Sequence, residues 1–265
     1  DIARGGSIES FKPEEKGYAI EVRVTAEKIV VDSEGIMQLA PNPGKIVNCV
    51  MPERDDIELI SIAASGIEIS PFYDSLIAQI ICRGKDRNDV IDKLHAYLDS
   101  VVIEGIPTNI ALLKRILKDK TFRDGKYDTS YLPTFMATLD ANELIKEIET
   151  AASAEGVAAL NTDSIRVDDS HELKVFAQSS GIFYTASSPA DPEFVEVGDI
   201  ISTEDTLGLM EAMKMFSQVN LGQYNRADAE LYPSDKRYKI EHINSANGQQ
   251  VTSGDLLFIV SAVED

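Results

Sequence analysis

Cysteine is scarce in this chain: Cys49 and Cys82 are the only two among 265 residues. Each lies in an apolar, strand-like stretch, and neither belongs to a Cys-x-x-Cys or Cys/His cluster. That argues against a disulfide framework or a thiolate metal centre, and both are expected to be reduced core residues. Long apolar runs are also missing. No stretch approaches the roughly 20 residues that span a bilayer, and no charged-then-apolar leader opens the chain. The expected compartment is therefore the cytoplasm, or an organelle matrix in a eukaryotic cell. Basic residues are in deficit, since 25 Lys and Arg against 45 Asp and Glu give a formal charge of −20. Such a charge repels phosphate backbones and anionic lipid, so neither nucleic acid nor membrane is an expected partner. His95, His171 and His242 are dispersed, and no metal site is expected. No Gly-rich loop followed by Lys-Ser/Thr occurs, and Arg4-Gly-Gly-Ser7 is too short to cradle a phosphate.

What is present reads as two modest domains. Asp1 to Gly17 has no clear periodicity and begins without methionine, as expected of a segment from inside a larger protein. In Tyr18 to Ala26 the apolar Ile20, Val22 and Val24 share one strand face, with Glu21, Arg23 and Thr25 on the other. Lys45 to Val50, Ile57 to Ile69 and Ser75 to Cys82 read as further strands. A helix over 88–100, with an apolar face of Val90, Ile91, Leu94, Tyr97 and Leu98 continued by Val101, carries His95 in a structural role. A second helix opens at Thr108 or Asn109, both acceptable caps. The pattern predicts an α+β domain with helices on one face of a largely antiparallel sheet.

Residues 140–152 read as a connecting helix. Ala152 to Asp169 then turns small, polar and acidic, which marks a linker with little apolar surface to offset the entropy of ordering. From about Glu172 the pattern is all β. This last part is duplicated: placed 50 residues apart, Gly198 matches Gly248, Ile201 matches Val251, Asp205 matches Asp255 and Leu207 matches Leu257. The register continues through Leu209 and Ile259, Met210 and Val260, and Ala212 and Ala262. Two strand-turn-strand copies predict a small sandwich with quasi-twofold symmetry. Met213-Lys214-Met215 lies where the chain crosses from the first copy to the second half. A lysine there would be exposed and isolated on a tight turn, which suits acylation by a cofactor carboxylate. The competing reading is a helix over Leu207 to Val219, because that stretch is rich in Leu, Met, Ala, Glu and Lys.

Glu211-Ala-Met-Lys-Met215 resembles the biotin attachment sequence of biotin carboxyl carrier domains, which implies biotin on Lys214 with Glu211, Ala212, Met213 and Met215 as its recognition context. Lipoyl domains share the implied fold, an all-β flattened barrel-sandwich, but usually lack methionines on both sides of the lysine. Ser187 to Phe194 resembles the protruding thumb of bacterial acetyl-CoA carboxylase carriers. About a dozen polar residues, Tyr224 to Arg237, replace a short turn, and either a partner contact or a loop extension would account for them.

Gly17 to Glu27, Pro41 to Lys45, Ser70 to Ala78 and Glu104 to Asn109 are similar to the C-terminal domain of biotin carboxylases. The resemblance implies that Arg23 stabilises negative charge on the ureido oxygen of biotin, and sets Asp74 in the same neighbourhood. The implied organisation is the end of an ATP-grasp region in 1–16, a carboxylase C-terminal domain in 17–135, a helix and linker in 136–170, and a carrier domain in 171–265. ATP, Mg and bicarbonate would belong to the missing upstream domain, where carboxyphosphate forms, so this chain alone is expected to be inactive. Implied partners are a biotin protein ligase, the upstream ATP-grasp domain and a carboxyltransferase, with homo-oligomerisation through the carboxylase region. The short gap between the two regions fits a fused carboxylase-carrier polypeptide, with acetyl-CoA as the leading substrate. A non-catalytic carrier or docking module, or a lipoyl-type acyl carrier, stand as alternatives.

Overall fold

A computed structural model describes residues 2–8, 14, 16–31, 35–153, 172–224 and 231–263. The expected linker, beyond its first residues, lies outside these, as does part of the insertion after Tyr224.

Residues 18–152 form the first unit. Strands β1 (Tyr18–Thr25), β2 (Glu27–Val31), β3 (Met37–Pro41), β4 (Gly44–Lys45), β5 (Asn48–Val50), β6 (Ile57–Ser61), β7 (Glu68–Ile69) and β8 (Leu76–Gly84) precede helix α1 (Arg87–Leu98). Strand β9 (Val102–Glu104) and helices α2 (Ile110–Lys118), α3 (Lys120–Arg123), α4 (Tyr131–Met136) and α5 (Ala141–Ala152) complete it. Strand β8 is the centre of a three-stranded antiparallel sheet in the order β1-β8-β6. The alternation in β1 is realised as expected, since Val22 and Val24 are buried while Glu21 and Arg23 are exposed. Helix α1 starts at Asp86, whose carboxylate accepts the Asp89 N–H, and lays Val90, Ile91, Leu94, Tyr97 and Leu98 into the same core.

Three expectations change here. Lys45 to Val50 and Ile57 to Ile69 are not continuous strands; they divide into β4 and β5 and into β6 and β7. The sheet is correspondingly smaller, with β2-β3, β4-β7 and β5-β9 as separate ladders. Breaks of this kind follow from pairing partners: β5 pairs with β9, whereas β4 pairs with β7. Helix α5, expected as a connector, packs into the first unit. Its Leu144 and Ile148 join Ile29, Ala111 and Leu112, and Arg115 of α2 bridges Glu143 and Glu147 at 3.3 and 2.8 Å.

Residues 172–263 form a second unit of two four-stranded sheets. Its strands are β10 (Glu172–Phe176), β11 (Gly181–Tyr184), β12 (Ile200–Ile201), β13 (Gly208–Ala212), β14 (Met215–Val219), β15 (Tyr238–Ile243), β16 (Gln249–Val251) and β17 (Leu256–Ala262). One sheet runs β10-β17-β15-β12 and the other β14-β13-β11-β16. The 50-residue offset maps β12 onto β16 and β13 onto β17, and the two sheet orders correspond position by position. Local chemistry repeats as well: Asp205 accepts the Ser202 N–H at 2.6 Å and Asp255 accepts the Thr252 N–H at 2.7 Å. Both sheets feed one core, where Phe183 and Phe258 meet edge to face with centroids 5.7 Å apart. The insertion is more than a polar loop. Its Tyr232 is fully buried between Tyr224 and Tyr238, and its hydroxyl donates to the Lys174 carbonyl at 2.8 Å.

Candidate functional site

The turn between β13 and β14 closes with only two residues, because Ala212 pairs directly with Met215. Both turn residues have positive φ, 51° at Met213 and 63° at Lys214. Two such residues in a two-residue hairpin are the type I′ pattern, whose twist matches the strands but which ordinarily calls for Asn and Gly. Side chains bearing a Cβ pay about 1–2 kcal/mol each in this region. Strand β11 approaches closely at the base of the turn: a Cβ on Gly181 would stand 2.3 Å from the Glu211 carbonyl oxygen. The helix alternative for Leu207 to Val219 is thus replaced by a hairpin, since β11 supplies Ile182 and Phe183 as partners for Glu211 and Met210.

The side chains around the turn divide sharply. Lys214, Met215 and Phe216 are exposed, while Ala212 and Met213 are buried. Lys214 has no ion-pair partner among the described residues. Glu211 accepts a hydrogen bond from the Tyr184 hydroxyl at 2.7 Å. That bond, with some burial, raises the Tyr184 phenol above its ordinary range. The arrangement offers a free primary amine on a stiff projection, chemically suited to amide formation with a cofactor carboxylate. Thumb-like Ser187 to Phe194 forms an exposed loop closed by a bridge between Ala186 and Glu193, with the Ser187 hydroxyl donating to Asp191.

Arg23 stands on β1 opposite Gln79 of β8 and is exposed, with no ion-pair partner among the described residues. Its backbone is held from both sides. The Asn109 amide donates to the Arg23 carbonyl at 3.0 Å and its Oδ1 accepts the Thr25 N–H at 3.0 Å. Asn109 precedes α2 as expected, but its side chain makes no capping bond there and spends itself on β1 instead. Glu27 adds a second brace, accepting from the Thr25 hydroxyl at 2.6 Å and from the Ser75 hydroxyl at 2.8 Å. Asp74 is exposed in the loop before β8, and its Oδ1 accepts the Leu76 N–H at 2.9 Å. Because Thr25 pairs with Leu76, Arg23 and Asp74 approach the same end of the β1-β8 ladder. An exposed guanidinium with no ion pair among the described residues, on a braced strand, can donate to an anionic oxygen. Asn109 and Glu27 fall within the segments singled out in the sequence, but nothing local marked them as braces.

The two units also touch. The Met213 N–H donates to the Pro71 carbonyl at 2.5 Å, and the Met213 side chain joins the core cluster of the first unit. Strand β14 lies beside β3. Among the described residues there is no group of three or more His, Cys, Asp or Glu able to hold a metal ion. No helix among them is long and apolar enough to cross a membrane.

Comparison with known proteins now places the first unit. Residues 21–134 match the family model of the biotin carboxylase C-terminal domain. Biotin carboxylase 1 of Bacillus subtilis is 36% identical over 129 residues, 49% of this chain and 27% of that protein. The 2-oxoglutarate carboxylase small subunit of Hydrogenobacter thermophilus is 39% identical over 44% of this chain and 23% of its own length. The biotin carboxylase of Pseudomonas aeruginosa is 32% identical over 44% of this chain and 24% of its own. This chain thus spans about a quarter of the length of the curated relatives it matches. Residues 21–134, carrying Arg23, Asp74 and Asn109, are homologous to the C-terminal domain of the biotin carboxylases of biotin-dependent carboxylases.

Proposed function

We propose that Lys214 carries biotin in amide linkage and that residues 171–265 are the carrier domain of a biotin-dependent carboxylase. The observation that carries this reading is the exposed amine of Lys214 at positive φ on a two-residue turn, within Glu211-Ala-Met-Lys-Met215. Biotin held there supplies a ureido nitrogen that accepts a carboxyl group and gives it up to an acceptor. Within this chain, Arg23 offers its positive charge to the ureido oxygen, Asn109 and Glu27 keep its strand in place, and Asp74 borders the same end of the sheet. ATP, Mg and bicarbonate would be bound by an upstream ATP-grasp domain, and a carboxyltransferase would receive the loaded carrier. Acetyl-CoA or a related acyl-CoA is the proposed acceptor. Self-association through the carboxylase region is supported by β6, an edge strand whose Ile60 is 53% exposed and which leads into Ile62, 64% exposed.

Co-expression with a biotin protein ligase and intact-mass measurement test the assignment. One biotin is expected per chain, and Lys214→Arg should abolish avidin recognition. A mass gain matching lipoate, or avidin labelling that survives the substitution, would overturn it. Adding the chain to a separate ATP-grasp fragment should stimulate bicarbonate-dependent ATP cleavage with free biotin. No rate above the fragment alone would favour a docking module without catalytic function.

A further inference from the structure

Met213 is misplaced if the second unit is considered alone. It is only 4% exposed, yet it belongs to the buried cluster that contains Val22, Ile77 and Leu117, and not to the core of its own sheets. Its N–H, which in a free type I′ turn would face water, donates to the Pro71 carbonyl. Lys214, one residue on, is exposed. The turn therefore has one flank sealed against the first unit by a main-chain bond and an apolar side chain, and one flank open. Phe72 and Tyr73, next along the receiving loop, are themselves 50% and 74% exposed.

We propose that Met213 is a docking pin, that the loop at Pro71 is its seat, and that seating the pin competes with modification of Lys214. The proposal rests on the biotinyl-lysine reading. An enzyme that acylates Lys214 must enclose its Nζ, and a two-residue turn is too narrow to be enclosed while one flank is covered. Modification then proceeds through the undocked fraction, and its rate scales with that fraction. Met at this position suits a pin that must seat and leave repeatedly, because an unbranched thioether fills an irregular gap without a fixed partner geometry.

A Pro71→Cys, Met213→Cys double variant of the full chain tests both parts. Mild oxidation with a glutathione couple should join the two thiols, giving a faster-migrating monomer on a non-reducing gel that neither single variant shows. The oxidised protein should accept biotin from the ligase about tenfold or more slowly than the same protein after reduction. Absence of the cross-link would overturn the seat, and equal labelling of the oxidised and reduced forms would overturn the competition. If the reduced form takes no biotin while the wild-type chain does, the variant is replaced by hydrogen exchange of the wild type. There, a slowly exchanging Met213 amide supports the seat and a freely exchanging one overturns it. Failure of the wild type itself to take biotin would instead strike the functional reading on which the competition depends.

Discussion

Arg23 and Lys214 are both exposed cations without ion-pair partners among the described residues, but they stand on opposite kinds of backbone. Arg23 sits within a paired strand whose carbonyl and neighbouring amide are clamped by Asn109. Lys214 sits where pairing stops, in a conformation that costs free energy. A charge that must meet a reacting group at one position gains from a rigid, hydrogen-bonded strand. An amine that must be reached and then carried elsewhere gains from projection, even at some loss of stability. Under the proposed function, the two units would divide these requirements between them.

Four substitutions and a fall in pH would sharpen or break that division. The largest effect is expected from Gly181→Ala, since the added methyl would meet the Glu211 carbonyl at 2.3 Å and the Met210 sulfur at 3.1 Å. A loss of ~3 kcal/mol confined to the second unit is expected, read by urea unfolding with pulsed hydrogen exchange over residues 172–263. Equal weakening of the first unit would show that the two do not unfold separately. Asn109→Ala should cost ~2 kcal/mol in the first unit by leaving a backbone donor and acceptor unpaired beside Arg23, while avidin labelling of Lys214 stays unchanged. Lys214→Gly relieves the left-handed strain at an exposed position and should raise the stability of the second unit by up to ~1 kcal/mol, seen as a higher urea midpoint. A fall in midpoint would mean that the turn is not strained.

The smallest effect is in acid. In the first unit, hydrogen bonds from Arg54 and from Lys114 hold Asp56 and Asp99 below the ordinary carboxyl value of 3.8. Asp119 is also lowered: burial pushes it up, but the Phe122 N–H and the Tyr131 hydroxyl outweigh that. A carboxyl lowered on folding contributes stability above its unfolded value, and that contribution disappears as pH falls through the lowered folded value. The first unit should therefore lose protection as pH drops below about 3.8, and Asp119→Asn should flatten that dependence, both measured by hydrogen exchange between pH 5 and pH 2.

Much of this division was legible in the sequence. Alternation at Ile20, Val22 and Val24 gave the strand and its exposed arginine, and the 50-residue offset required a hairpin where helix propensity pointed elsewhere. What was not legible lies in contacts between distant positions. Asn109 before a helix is indistinguishable from a cap until β1 lies beside it, 84 residues away in sequence. Tyr232 lies in an insertion that is polar over most of its length, and only its burial and its bond to the Lys174 carbonyl reveal that it is core. Met213 carries no local sign that its side chain leaves its own unit. Periodicity reports which face of an element is apolar, but not which of two available cores that face enters.

The path of the chain through the second unit has a mechanical consequence. Strand β11 begins beside the Lys214 turn, as Ile182 pairs with Glu211, and β10 reaches it after a four-residue connection, so β10 must start at the far end. Glu172 and Ser261, paired across β10 and β17, thus lie a full strand away from the lysine, ~16 Å for five residues. Under the proposed function this separation would make the sandwich a lever: a rotation about the Glu172 end would displace the amine further than the strands near that end.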